Sequence, residues 1–424
     1  MGKSLIKSLL APLQSGEMTC EEATTICLTR IEQREPDVRA WAHIDPAQAI
    51  AEARRRDRDG VRGPLFGLSI GVKDIFNTAD MPTEFGSPIY RGHRPSADSA
   101  CVAILRAAGA VVLGKTVTTE FATTYRGKTR NPRHLDRTPG GSSSGSAAAV
   151  ADGMVPAALG TQTMGSIIRP AAYCGVVGFK PSFGLINRAG VKPQAESLDT
   201  IGVLANGVED AALLTAVLCG ADPVSFDGVV SRPPRIFLYR GPDWTKIEKC
   251  ADEALAMAAT RLADAGAVIQ DAGSPAILRN ALAAHLEIVC FELARSLSFE
   301  WHRHRPQLSA TLCGLIEFGR AISFESYLSA QSAAALAREW FAKTFAQADL
   351  WMTASAPGEA PLGLESTGDP IHNRLWSLLH GPALTVPFGT GPGGLPLGVQ
   401  LIGPFNGDAA FLRSARWVET QLAE

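Results

Sequence analysis

Residues 140–170 read GGSSSGSAAAVADGMVPAALGTQTMGSIIRP, and they hold two serine-bearing glycine turns joined by a helix former and an apolar run. Ser142 follows the pair Gly140-Gly141, and Ser166 follows Gly165. Between them, Ser146–Ala151 favours a helix with serines at its N-cap positions. Val155–Leu159 is a short apolar run, as a buried strand would be. In the segment Gly160–Ser166, backbone N–H groups can converge in a turn after that strand. Such a turn presents a nucleophile and stabilises an oxyanion at once. A Gly/Ser linker before a capped helix is the ordinary alternative, but linkers are more polar on both sides than this stretch is.

Upstream, GLSIGVKDIF places Lys73 at the end of an alternating apolar segment. Leu68 to Asp74 reads as a strand with Leu68, Ile70 and Val72 on one face. The other face carries Ser69, Gly71 and Lys73. Small residues let a second chain segment approach closely, so the amine is expected in a confined, partly dry space. Burial disfavours an ammonium and lowers its pKa. A lysine base must come down from about 10.4 toward 7–8 to take a proton at neutral pH. Taken alone, Lys73 is an ordinary strand-end lysine reaching solvent. Taken with the two serine turns, in order over about a hundred residues, it reads as their base.

The three pieces together resemble the amidase signature family, serine hydrolases that use Ser-Ser-Lys where others use Ser-His-Asp. The resemblance runs along nearly the whole chain. It is carried also by GAVVLGKT (109–116), AAYCGVVGFKPSFG (171–184), SLDTIG (197–202), GPALTVPFG (381–389) and LPLGVQLIGP (395–404). It implies Ser166 as the acylated nucleophile and Ser142 as the bridging serine, usually on a cis peptide bond. Lys73 would be the base, and Ser143 would support the network through hydrogen bonds. The N–H groups of Thr163, Met164, Gly165 and Ser166 would hold the oxyanion. The implied reaction is acyl transfer from a small amide to water, with no metal or organic cofactor required.

Three linked departures stand out against the family's Gly-Thr-Asp-x-Gly-Gly-Ser-x-Arg-x-Pro. Gln162 replaces the aspartate, Met164 replaces the first glycine of the pair, and the arginine stands at Arg169 instead of position 168. Losing the aspartate while moving the arginine implies that an Asp–Arg contact has been dismantled, leaving Arg169 to face the pocket. A guanidinium three residues from the nucleophile can grip a substrate carboxylate in bidentate fashion. Malonamidase-type members resemble this arrangement, so Arg169 and Gln162 are expected to bind an amide whose acyl part carries a carboxylate. A structural Arg169 paired with a core carboxylate is the alternative. At Met164, a required positive φ would bring strain, and its long side chain would narrow or impair the site.

Other motifs carry less. GAVVLGKT satisfies the P-loop pattern, yet Ala-Val-Val-Leu between its glycines is itself a strand, and Ser99–Ala108 before it reads as helix, so nucleotide binding is rejected. GSSSG, centred on Ser143, matches a nucleophile elbow but follows the charged NPRHLDRTPG instead of a buried strand. His302 and His304 lack neighbouring carboxylates and read as a solvated basic turn, not a metal site.

At 46% hydrophobic and 19% charged residues the 424-residue chain can bury a sizeable core, and a net charge of −2 offers nothing to attract nucleic acid or anionic membrane. No stretch approaches the ~20 apolar residues of a membrane span. The N-terminal residues lack a convincing cleavage site. Eight cysteines without a C-x-x-C pair suit reduced thiols in a cytoplasm. A homodimer is left open.

The expected architecture is one large α/β domain with a mixed central β-sheet covered by helices on both sides. Within it, residues 1–62 form a helical segment, 63–218 the core with every catalytic candidate, and 219–380 a helical region that the resemblance implies is the family's variable part. Residues 381–424 add two strands and a helix to the core. Thr19-Cys20-Glu21-Glu22 is a capping box for a helix to about Arg34, and Asp45-Pro46 caps another. Asp222–Pro234 reads as a connection. Helices are expected at about 247–265, 276–300, 323–347 and from 407. Two competing functions remain. One is an amidotransferase A-type subunit releasing ammonia from glutamine for a partner, against which the short chain, Gln162 and Arg169 argue. The other is an impaired amidase-fold binding protein, for which Met164 argues.

Overall fold

The computed structural model of the chain describes residues 4–226 and 233–423; residues 227–232 of the expected connection lie outside the described residues. Among the described residues eleven strands form one mixed sheet. They are β1 (Trp41–Ile44), β2 (Ser69–Lys73), β3 (Val111–Thr116), β4 (Ala157–Gln162), β5 (Val177–Lys180), β6 (Thr200–Ala205), β7 (Arg235–Leu238), β8 (Val268–Asp271), β9 (Leu350–Ala354), β10 (Ala383–Thr390) and β11 (Pro396–Ile402). Their order across the sheet is β1-β3-β2-β4-β6-β5-β10-β11-β9-β7-β8. Strand β2 runs parallel to both β3 and β4, whereas β10 and β11 form an antiparallel hairpin that joins β5 to β9. The strands on either side of the connection therefore share one sheet.

Alternation along the central strands sorts side chains into two cores. Ile70, Val72, Ala157, Leu159, Val203 and Ala205 face one side, together with helices Ala100–Ala107, Val208–Cys219 and Asp408–Ala423. Ala158 and Leu204 face the other, against helices Ser144–Ala151 and Ile168–Cys174. Every other residue of a strand points to the same face. Gly71 thus opens toward Trp41 and Ala158, and Lys73, two residues on, emerges where the helix at 144–151 begins.

That helix begins against the backbone just before β1 and just after β3. A Cβ on Gly145 would sit 2.2 Å from the Ala40 carbonyl oxygen and 2.3 Å from the Val117 nitrogen, both backbone atoms. Alanine is the better helix former by about 1 kcal/mol, but no rotamer relieves a clash with backbone. Gly145→Ala is therefore expected to destabilise the protein by about 2 kcal/mol or more, read as a lower urea midpoint at unchanged slope.

The capping box at Thr19 forms as expected, and its helix, Cys20–Val38, runs past the anticipated end through Pro36. Asp45 caps the helix Pro46–Asp59 with Pro at its first turn. The first sixty residues are not wholly helical, because β1 pairs antiparallel with β3. Four residues are too few to carry a period, and an edge pairing decided their state. GAVVLGKT contains β3, which includes Gly114 and Lys115, so no phosphate loop forms there. His302 and His304 lie in the helix Ser298–His304 and not in a turn. The helix Ala310–Ala321 lay outside the expectations. Among the described residues no helix is long and apolar enough to cross a membrane.

Candidate active site

Three chain segments meet at the C-terminal end of β2. Lys73 is its last residue and is 0% exposed. Its Nζ lies 2.7 Å from Thr161 Oγ1 at the end of β4 and 2.8 Å from Ser142 Oγ before the helix Ser144–Ala151. Among the described residues no carboxylate forms an ion pair with Lys73. Burial holds its amine well below the ordinary lysine range, and only the more distant Asp199 pulls the other way. Lys115 on the adjacent strand makes the contrast. It is equally buried but paired with Asp74 at 3.0 Å, with further bonds to Phe76 O and Thr83 Oγ1. Lys115 is the structural cation of this region, and Lys73 is the amine left without a counter-ion among the described residues.

The Gly141–Ser142 peptide bond is cis, as the family likeness implied. Ser143 ties the two serine turns together: its N–H donates to the Ser166 carbonyl at 3.3 Å, and its hydroxyl bonds both the carbonyl and the N–H of Thr161 at 3.3 Å. Ser166 closes the turn after β4, just before the helix Ile168–Cys174. The N–H groups of Thr163, Met164, Gly165 and Ser166 make no backbone–backbone hydrogen bond among the described residues, and unpaired donors of this kind are able to stabilise an oxyanion. Gly165 has no room for a side chain, since a Cβ would fall 2.6 Å from Asn373 Oδ1.

Gln162 has a different task from the one expected. Its Oε1 accepts from the N–H groups of Ile167 and Ile168 at 3.0 and 3.1 Å, and its Nε2 donates to Ser377 Oγ at 3.2 Å. With both oxygen lone pairs used inside the protein, the side chain braces the nucleophile turn and has no acceptor left for a ligand.

Arg169 is 3% exposed and forms no ion pair with a core carboxylate among the described residues. Its Nε donates to the Thr367 carbonyl at 2.7 Å, and its Nη2 donates to the Gly141 carbonyl at 2.7 Å and to Thr367 Oγ1 at 3.2 Å. Two of the three nitrogens are thus committed to the protein, and a bidentate fork onto a carboxylate is not available. Nη1 is buried with no hydrogen-bond partner among the described residues. Met164 is absent from the residues at positive φ, so the expected strain does not arise. Its side chain packs, partly buried, against the apolar cluster containing Tyr239, Leu375 and Trp376.

Two residues escape the sequence reading. Thr161 stands out there only as part of the turn, although its hydroxyl is the second partner of Lys73. Asp199 accepts from Thr163 Oγ1 at 2.5 Å and from the N–H groups of Gln194 and Ala195. Burial raises its carboxyl to about 6, against the lowering pull of those donors. The motif SLDTIG is the available signal for it.

A buried amine, two serines and a turn of N–H groups without backbone partners thus meet at the end of β2. The chain belongs to the amidase family, whose model, described as Amidase, matches residues 22–412, and it is a hydrolase of that family acting on carbon–nitrogen bonds. It is 36% identical to the A-type subunit of the glutamyl-tRNA(Gln) amidotransferase from Chloroflexus aurantiacus, over 95% of this chain and 93% of that one. Its fold matches a crystal structure of an amidase with a TM-score of 0.88 at 29% identity, covering 98% of this chain and 99% of the other. Native peptide amidase from Stenotrophomonas maltophilia matches with a TM-score of 0.81 at 29% identity, covering 99% and 96%.

Proposed function

We propose that this protein hydrolyses a small carboxylic amide through an acyl-enzyme on Ser166. The observation that carries the reading is the fully buried Lys73 amine, unpaired by any carboxylate among the described residues and 2.8 Å from Ser142 Oγ. A neutral Lys73 takes the proton of Ser142, which takes that of Ser166 as Ser166 Oγ bonds to the amide carbon. The carbonyl oxygen becomes an oxyanion facing the N–H groups of residues 163–166. As the tetrahedral adduct collapses, the C–N bond breaks and the relay returns the proton to the leaving nitrogen. Water then attacks the ester by the same path, releasing the acid and restoring Ser166.

For the acyl part we propose a carboxylate, with malonamate as the simplest example. Support comes from Arg169, a buried cation with no carboxylate partner and one unpaired nitrogen among the described residues, so the contact is single and not forked. The likeness to malonamidase-type members rests on Gln162 and Arg169 alone. Ammonia release from malonamate against propionamide tests both parts. Wild type is expected to turn over malonamate preferentially, and Arg169→Ala to raise KM for malonamate by about tenfold or more. An equal loss on both amides would assign Arg169 to holding the Gly141 carbonyl instead. No release from either amide by folded protein would count against the hydrolase reading.

The 36% identity to an amidotransferase A-type subunit favours a second reading, release of ammonia from glutamine for a partner protein. Co-purification with a second protein, and glutamine turnover that depends on it, would establish that reading in place of the first.

A further inference from the structure

Strands β4 and β6 pair antiparallel with Gln162 opposite Thr200, so the residues just beyond them, Thr163 and Asp199, fall side by side where the nucleophile turn begins. Thr161 and Thr163 lie two residues apart on one side of the chain, and both line a single cavity together with Asp199. The two threonines hold opposite charges. Thr161 Oγ1 lies 2.7 Å from Lys73 Nζ, and Thr163 Oγ1 donates to Asp199 Oδ1 at 2.5 Å. That contact is shorter than the 3.0 Å to Gln194 Oε1, so the single hydroxyl proton goes to the carboxylate. Asp199 Oδ2 accepts from the N–H groups of Gln194 and Ala195 at 2.7 and 3.1 Å. The carboxylate is thus pinned by the segment 194–195 on one side and pins Thr163 on the other.

Resting on the hydrolase reading above, we propose that Asp199 is a positioning residue of the relay with two separable roles: its bond to the Thr163 hydroxyl holds the turn that presents the N–H groups of residues 163–166, and its negative charge acts on Lys73 through space. The first role follows from place. Thr163 opens the turn, and fixing its side chain fixes the direction of the next N–H, that of Met164. A hydrogen bond to an ionised carboxylate is roughly twice as strong as a neutral one, which suits an anchor. The second role follows from the charges nearby. Asp199 is the group that opposes burial at Lys73. Its own carboxyl, raised by burial to about 6, is ionised at neutral pH. On the segment leading to Asp199, Arg188 is paired with Glu196 at 3.3 Å and Lys192 with Glu300 at 2.6 Å. From the helix Ala276–Ser296, His285 lies beside the Thr163 backbone, and burial pushes it down to about 3, so it stays neutral.

Two substitutions separate the roles, with ammonia release from malonamate and propionamide as the readout. Thr163→Val removes the hydroxyl and keeps the Asp199 charge and every backbone N–H. It is expected to lower kcat by about tenfold or more at nearly unchanged KM, with the pH limb in place. Thr163→Ser, which keeps the hydroxyl, should restore the rate. In Asp199→Asn the amide nitrogen can donate to Thr163 Oγ1, whose proton turns to the Gln194 side chain 3.0 Å away, so the link survives without the charge. That variant is expected to keep most of its plateau kcat while the rising limb of kcat/KM moves to lower pH, because neutral Lys73 is favoured once the negative charge is gone. A wild-type kcat in Thr163→Val, or equal losses in Thr163→Val and Thr163→Ser, overturns the anchoring role. A limb that stays in place in Asp199→Asn overturns the charge role, and the hydrolase reading stands in either case. Absence of turnover by folded wild type overturns the proposal together with that reading.

Discussion

Ser166→Ala and Lys73→Met are each expected to lower kcat/KM for any amide the protein hydrolyses by about 10⁴-fold or more, the scale seen when one member of a nucleophile relay is removed. The two losses do not multiply, since Ser166, Ser142 and Lys73 act on one proton path, and the double variant is expected to match the worse single. Lys73→Met replaces a long buried chain by one of similar length, so its loss is chemical and not a cavity effect. Ser143→Ala is the instructive companion, because its hydroxyl braces Thr161 without touching Lys73. Turnover above about one per cent of wild type in both Ser166→Ala and Lys73→Met, with hydrolysis followed by acid release, would remove the mechanism.

The second large effect is on pH. Burial, opposed only by distant Asp199, holds Lys73 well below 10.5, and the proposed mechanism needs its neutral form. Below its folded pKa the neutral fraction falls tenfold per pH unit, so kcat/KM should climb by about that slope and level off well short of the ordinary lysine range. Stability follows the same group. Between the folded and unfolded values the unfolded chain binds the extra proton, so stability rises with pH across that window and the cost is full below it. Lys73→Met should therefore raise Tm at neutral pH, and the gain should shrink toward 10.5. Lys180 is the control for the assignment. Burial takes it down to about 7, but its ammonium bonds the Gly381 and Pro181 carbonyls, far from the relay in sequence and partner. A kcat/KM limb that vanishes in Lys180→Met would remove Lys73 from its role.

How much was legible follows from the length scale of each signal. Leu68, Ile70 and Val72 alternate with Ser69, Gly71 and Lys73, and that period of two correctly separates the core face from the amine. The glycine turns flank a helix and a strand that both form. β1 was missed because a four-residue edge strand is settled by its neighbour and not by its own pattern. Arg169 reads as ligand-facing from its spacing to Ser166, and Gln162 from the resemblance to malonamidase-type members. Spacing says which residues are near one another along the chain, but not which carbonyl or N–H group each will find.

The sequence by itself pointed to the α/β class and to Lys73, Ser142 and Ser166 as candidates through periodicity, turn chemistry and the order of motifs, and to the one-sheet organisation and the candidates' roles through the family resemblance. Only the tertiary structure decided which lysine is left unpaired. Lys73 and Lys115 sit on adjacent strands at similar burial. The difference is that Asp74 folds back onto Lys115, while among the described residues no carboxylate pairs with Lys73. It likewise spent Gln162 on two backbone N–H groups and most of Arg169 on the Gly141 and Thr367 carbonyls. Desolvation and hydrogen-bond satisfaction depend on what arrives from residues far away in the chain, and so they come into being only when the chain has closed.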